Sequence, residues 1–154
     1  MSKRRDNMKP QNETVIILQS RSCNESYART AVSGFFAQLD PTVEELCDIR
    51  TAVSEAVTNA IVHGYKDTVG CIRITARIWP DRKISVAVRD GGAGIPDIPK
   101  AMEPLFTTDP DGERSGLGFS VMQSFMDKVK VRSSPGKGTT VTMERHLKGK
   151  DDND

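Results

Sequence analysis

The chain has 154 residues, enough for one domain whose core needs neither disulfides nor a metal. Its formal net charge is +1, with acids and bases mixed along the chain, which excludes a general nucleic-acid footprint or a polybasic membrane surface. No apolar run is long enough to cross a bilayer, and Cys23, Cys47 and Cys71 are too few and too scattered for a disulfide frame or a zinc knuckle.

Residues 1–12 are basic but lead into no apolar segment, so they do not read as a signal peptide. They are expected to be a disordered lead-in, with Met8 as an alternative start. Residues 148–154 are expected to be a disordered tail, leaving one domain over 13–147. Residues 13–21 read as a strand. A helix is expected over 22–39, capped by Ser22 or Asn24, with Tyr27, Ala31, Phe35 and Leu39 along one side. Asp40-Pro41 then predicts an N-cap and first helical position for a second helix running to His63 and ending at Gly64.

That second helix contains SEAVTNAIVHGY, residues 54–65. Val53, Ala56, Val57, Ala60 and Ile61 recur at helical spacing. Glu55, Asn59 and His63 recur four residues apart, which places an acid, an amide and an imidazole along one edge of the helix. Asn and His are weaker helix formers than the Lys, Glu, Gln or Ala of an ordinary solvated face. A polar edge without a task remains the simpler reading of this stretch alone.

Residues 69–80 and 83–90 alternate and predict a hairpin around Pro80, Asp81 and Arg82. Residues 91–99, GGAGIPDIP, break regular structure. Residues 101–116 are polar with internal Pro and Gly and predict a long mobile loop. A helix is expected over 117–128, carrying Leu117, Val121, Met122 and Phe125, then a hairpin of 129–134 and 139–147 around PGKG. The element order predicts an α+β sandwich, a mixed sheet covered on one face by three helices. Trp79 reads as a packed strand end.

Two glycine clusters bracket the loop. Asp90-Gly91-Gly92-Ala93-Gly94 closes a strand, where an aspartate held at a rigid end can accept a hydrogen bond from an exocyclic amine. Ser115-Gly116-Leu117-Gly118 opens a helix, where free N–H groups and the dipole favour phosphate. Each alone reads more readily as an ordinary turn. Neither is a dinucleotide fingerprint or a Walker A loop.

The combination is more specific. A helix with Glu55 and Asn59, then strand-Asp90-x-Gly92-x-Gly94, a long loop, and Gly116-x-Gly118 before a helix resembles the GHKL nucleotide-binding fold. SEAVTNAIVHGY, VRDGGAGIPDI, PLFTTDPDGERSGLGF and KGTTV are similar to the bacterial anti-sigma-factor serine kinases, most of all the sporulation anti-sigma F factors, over about residues 13–145. The resemblance implies ATP and Mg²⁺ as ligands. It implies Glu55 as general base for an attacking serine, and Asn59 as an oxygen donor to Mg²⁺. Asp90 would take the adenine amine, with Gly92 and Gly94 shaping the pocket and Thr139 supporting the base. Gly116 and Gly118 would cradle phosphates, and Thr107 would touch phosphate more weakly. Arg114 would neutralise the transferring phosphoryl group, although outside the resemblance it reads as a loop arginine. Arg29 is a candidate partner contact.

By the same resemblance the partners would be a sigma F factor of RNA polymerase, an anti-anti-sigma substrate and a second copy of the chain, in a cytoplasmic protein with no nucleic-acid or membrane contact. Three alternatives stay open: an ATP-gated sigma-binding module without turnover, a stress-response anti-sigma kinase, and a detached histidine-kinase ATPase domain. The last is disfavoured because neither His63 nor His146 sits on a helical hairpin.

Overall fold

The computed structural model describes residues 9–103 and 118–148; the expectations for the far ends and for Thr107, Arg114 and Gly116 lie outside those residues. Among the described residues, five strands form one sheet: β1 (Asn12–Gln19), β2 (Cys71–Ile78), β3 (Lys83–Asp90), β4 (Lys128–Ser134) and β5 (Gly138–His146), in the order β1-β2-β3-β5-β4. Helices α1 (Asn24–Phe36) and α2 (Val43–Asn59) lie between β1 and β2, and a short α3 (Ile98–Ala101) and α4 (Phe119–Phe125) lie between β3 and β4.

The α+β sandwich is as expected, but the sheet is not mixed. Every neighbouring pair is antiparallel. The reason is the placement of β5. The crossover through α4 makes β4 run in the direction of β3, and β5 then folds back between them, so no parallel pair comes into hydrogen-bonding contact.

One face of the sheet supplies the core. Ile72, Ile74, Ala76 and Ile78 alternate along β2, and Ile84, Val86 and Val88 along β3. Val53, Ala56 and Val57 from α2 and Ala60 just beyond its end close over them, with Phe119 and Met122 from α4. Helix α1 buries Ala28, Val32 and Phe36, a face one position on from the expected stripe. Tyr27 is 57% exposed; the large side chains at 27 and 35 drew the reading away from the small Ala28 and Val32, which fit the tighter helix–sheet contact.

Two helix boundaries also differ. Asp40 does not cap α2. It ends the preceding 3₁₀ turn in the left-handed region (φ 50°), and the cap is Thr42, whose hydroxyl accepts from Glu45 N while the Glu45 carboxylate accepts from Thr42 N. An N-cap has extended backbone, which left-handed Asp40 lacks and Thr42 has (φ −69°, ψ 161°), so the helix starts after Pro41. Helix α4 stops at Phe125 rather than 128, because Lys128 has already joined β4. Asp97 caps α3, a helical turn inside a stretch expected to be irregular. The Trp79 indole donates to Ser85 Oγ at 2.9 Å, as a packed strand end should.

Candidate nucleotide site at the end of the second helix

Helix α2 does not end on a regular turn. Residues Ala60–Gly64 widen into a π turn, with Tyr65 N donating to Ala60 O at 3.2 Å. The wider turn lays His63 and Gly64 against the end of β3. Ala93 N donates to Gly64 O at 2.9 Å, and a Cβ on Gly92 would sit 2.0 Å from that same oxygen. Only glycine at 92 lets the two backbones meet this closely. The first glycine cluster is therefore fastened to the helix that carries Glu55 and Asn59.

Asp90 lies at the centre. It is 6% exposed. Its Oδ1 accepts from Gly92 N at 2.9 Å, and Thr139, directly opposite it on β5, supplies a second backbone N–H. Burial pushes the carboxyl above the ordinary aspartate value, and the two N–H donors partly oppose that shift. The result is a rigid acceptor with limited solvation. Around it, Ala56, Asn59, His63, Gly94, Phe119 and Thr139 help to line a cleft with about 350 Å³ of empty space, part of it open to solvent. The apolar walls with a few convergent polar groups fit a flat heterocycle.

Thr139 is held in turn. Its Oγ1 is 2.8 Å from Ser133 Oγ, which also contacts Gly138 O at 3.0 Å and accepts from Ile95 N at 2.7 Å. His63 is pushed below its ordinary value, first by burial and then by the Lys66 charge, so it is a neutral imidazole at the cleft wall. Tyr65 bridges two strand ends: its hydroxyl accepts from Gly91 N at 2.6 Å and donates to Cys71 O at 2.8 Å.

Glu55 lies one turn before Asn59, about 6 Å along the helix axis. Its carboxylate rests on the start of α4, where Gly118 has φ +72° and a Cβ would come 2.3 Å from Glu55 Oε2. The acid of the helix and the last glycine of the second cluster are thus neighbours. Arg29 stands apart from the cleft. It shares a groove with Arg50, Ser54 and Glu55 on the α1–α2 surface, where Glu25 accepts from both Ser54 Oγ and Arg29 Nη1.

The structure thus gathers Asn59, Asp90, Gly94 and Thr139 at one cleft, sets Gly92 behind it, and pairs Glu55 with Gly118 beside it. Gly64, Tyr65 and Ser133 were not anticipated as site residues. Gly64 followed by an aromatic was readable as a helix end, but nothing in the spacing signals a π turn. Among the described residues no cluster of three His, Cys, Asp or Glu could hold a metal.

Residues 20–145 match the family described as histidine kinase-like ATPase domain. An anti-sigma F factor of Thermoanaerobacter sp. (strain X514) is 59% identical over 128 residues, covering 83% of this chain and 89% of that protein. One of Geobacillus kaustophilus (strain HTA426) is 52% identical, covering 88% and 93%. In fold, the chain is similar to a structure of RsbU and RsbW domains from Mycobacterium tuberculosis (TM-score 0.65, 23% identity, 90% of this chain and 32% of that one). It is also similar to the catalytic domain of the histidine kinase ThkA (TM-score 0.53, 20% identity, 89% and 97%). The Asp90 cleft, the helix that borders it and these matches agree: the chain belongs to the histidine kinase-like ATPase family and, within it, to the anti-sigma F factors.

Proposed function

We propose that the protein is an anti-sigma factor that holds a sporulation sigma F factor and uses ATP to phosphorylate a serine on an anti-anti-sigma protein. The observation that carries this reading is the division of labour along α2. Asn59 and the π turn face the Asp90 cleft, while Glu55 one turn earlier faces Gly118 and the groove that contains Arg29. In this reading adenine lies in the cleft with its amine on Asp90, and the phosphates run toward Gly118. The acceptor serine approaches from the α1–α2 groove.

Glu55 takes the proton of the serine hydroxyl. The serine oxygen forms a bond to the γ-phosphorus, the bond from that phosphorus to the β–γ bridging oxygen breaks, and ADP leaves. Asn59 would be among the oxygen donors to Mg²⁺, which would supply positive charge against the phosphates. Thr107, Gly116 and Arg114 would complete the phosphate side. The partner readings are a homodimer, with Arg29 meeting the sigma factor or the substrate, in the cytoplasm. No helix among the described residues is long and apolar enough to cross a membrane.

A second reading keeps the ATP site and removes turnover: a nucleotide-gated sigma-binding module. Purified protein, Mg²⁺ and γ-labelled ATP incubated with the anti-anti-sigma protein decides between them. Label on a partner serine, lost in Asn59→Ala and in Glu55→Gln, is the expected result. Tight ATP binding with no label leaves the binding module.

A further inference from the structure

The sheet face turned away from the helices carries a charge pattern that the nucleotide site does not use. Arg73 on β2 stands directly opposite Arg89 on β3; Arg89 is opposite Thr140 on β5, and Thr140 is opposite Arg132 on β4. One row across the sheet therefore reads Ile17, Arg73, Arg89, Thr140, Arg132. Lys128 and Lys130 lie on the same face of β4, all exposed. Like charges directly opposite on neighbouring strands are unfavourable. The carboxylates at outward positions, Glu13 and Glu144, are already paired with Arg77 and Lys83. Lys128 stands opposite Glu144, whereas Arg73, Arg89, Arg132 and Lys130 have no ionic partner among the described residues. A chain of net charge +1 thus concentrates unpaired cations on one flat surface.

We propose that this face docks a carboxylate-rich helical segment of a partner protein. Charge complementarity sets the sign of the occupant. The apolar flank sets its class: Ile17, in the same row, is 64% exposed and Val15 beside it 39%. Arginine next to exposed aliphatic surface is the composition of protein interfaces. Five strands at about 4.8 Å spacing and about eight residues in length give a face of roughly 600 Å², close to one side of a standard interface. A helix laid across the strands repeats about every 5.4 Å, near the strand spacing, so acids one turn apart meet successive positions of the row. A single-stranded nucleic acid would want open aromatic platforms. The indole on this face, Trp79, is committed to Ser85 and covered by Lys83, whose Nζ is 5.8 Å from the ring centroid.

The test uses the full chain and a labelled 20-residue helical peptide with glutamate along one face and alanine elsewhere. Single-stranded oligonucleotide and phosphatidylserine vesicles serve as competitors. Expected are amide shifts at Arg73, Arg89, Arg132 and Ile17, weakening with salt. Arg73→Gln/Arg89→Gln/Arg132→Gln should lose at least tenfold in affinity, while Arg77→Gln, whose partner is Glu13, stays within twofold. The triple variant should melt no lower than the parent, because it removes like-charge repulsion. Shifts elsewhere, equal affinity in the triple variant, or no binding at all would overturn the proposal. Tighter binding of the oligonucleotide or vesicles would overturn it in favour of those ligands. A variant that melts lower would show that the arginines serve the fold instead.

Discussion

The carboxylate of Glu55 occupies the space that a side chain at Gly118 would need, with only 2.3 Å between its Oε2 and a Cβ built there. The two residues are 63 positions apart in sequence, yet each limits the other: Gly118 is glycine because its φ is +72° and because the acid of α2 rests on it. Gly118→Ala is expected to cost about 1–3 kcal/mol of stability from backbone strain and crowding and to displace Glu55. Adding Glu55→Ala should restore part of the stability, since the clash is relieved, but not phosphotransfer. Denaturant melts of the two single variants and the double variant measure the coupling; additive losses would show that the contact is incidental.

Asp90 carries a charge that burial disfavours, so its replacement separates recognition from stability. Its folded pKa is raised above the unfolded value. The folded state therefore holds the proton more tightly, and stability falls as pH rises from about 3.8 through the folded pKa, with the full cost present above it. Asp90→Asn keeps an acceptor for Gly92 N and removes that cost. Thermal melts at neutral pH should be unchanged or higher. Affinity for ATP should fall about tenfold or more, because an amine that meets an amide loses the charge-assisted hydrogen bond. Calorimetric titration with ATP checks the second half, and undiminished affinity would remove Asp90 from adenine recognition.

His63 titrates with the opposite sign. Burial and Lys66 lower its folded pKa, so protonation favours the unfolded chain. Stability is full above about pH 6.5 and is lost as pH falls from there through the folded pKa. His63→Gln, which cannot ionise, should flatten that window while leaving the Asp90 effect at lower pH. Melts between pH 5 and 7.5 for both proteins provide the comparison. Parallel curves would mean that His63 does not respond to its surroundings as the geometry indicates.

What the sequence disclosed follows from what local spacing encodes. Strict alternation in 71–78 and 83–90 was enough to place the hairpin and its buried face, because a half-buried strand must alternate. Asp90 was readable as an acceptor at a rigid strand end and Thr139 only through a resemblance, and the two prove to be directly opposite each other on adjacent strands. The insertion of β5 between β3 and β4 was not legible, since it depends on contacts made only after the hairpin has formed. Nor was the π turn at Ala60–Gly64, where one edge of Glu55, Asn59 and His63 had been assumed to continue with regular helical spacing. The widened turn begins only at Ala60, so Glu55 and Asn59 keep their regular spacing; Asn59 and His63 line the cleft, while Glu55, one turn earlier, lies against the start of α4. Thr42 was missed for a simpler reason. Asp40-Pro41 offers a cap by residue type, and the competing Thr-x-x-Glu pattern two positions later satisfies two backbone donors instead of one.

Tyr65 is the least conspicuous of the residues that shape the site. Its hydroxyl joins Gly91 N, beside Asp90, to Cys71 O at the start of β2, and its ring lies where a Cβ on Gly70 would be, 2.2 Å from Cε1. Tyr65→Phe keeps the ring and removes both hydrogen bonds. Water can reach the freed groups, so the global cost should be only about 1 kcal/mol. The local effect should be larger, because Gly91 is the first residue after Asp90, the proposed acceptor for the base. Hydrogen exchange at the Gly91 amide should quicken by roughly five- to tenfold, in proportion to that lost hydrogen bond. The Michaelis constant for ATP should rise several-fold, while the maximal phosphotransfer rate changes little, since the Tyr65 hydroxyl bonds to Gly91 and Cys71 and not to Glu55 or Gly118. A loss of maximal rate without a change in ATP affinity would place Tyr65 with the transfer chemistry rather than with the adenine end of the cleft.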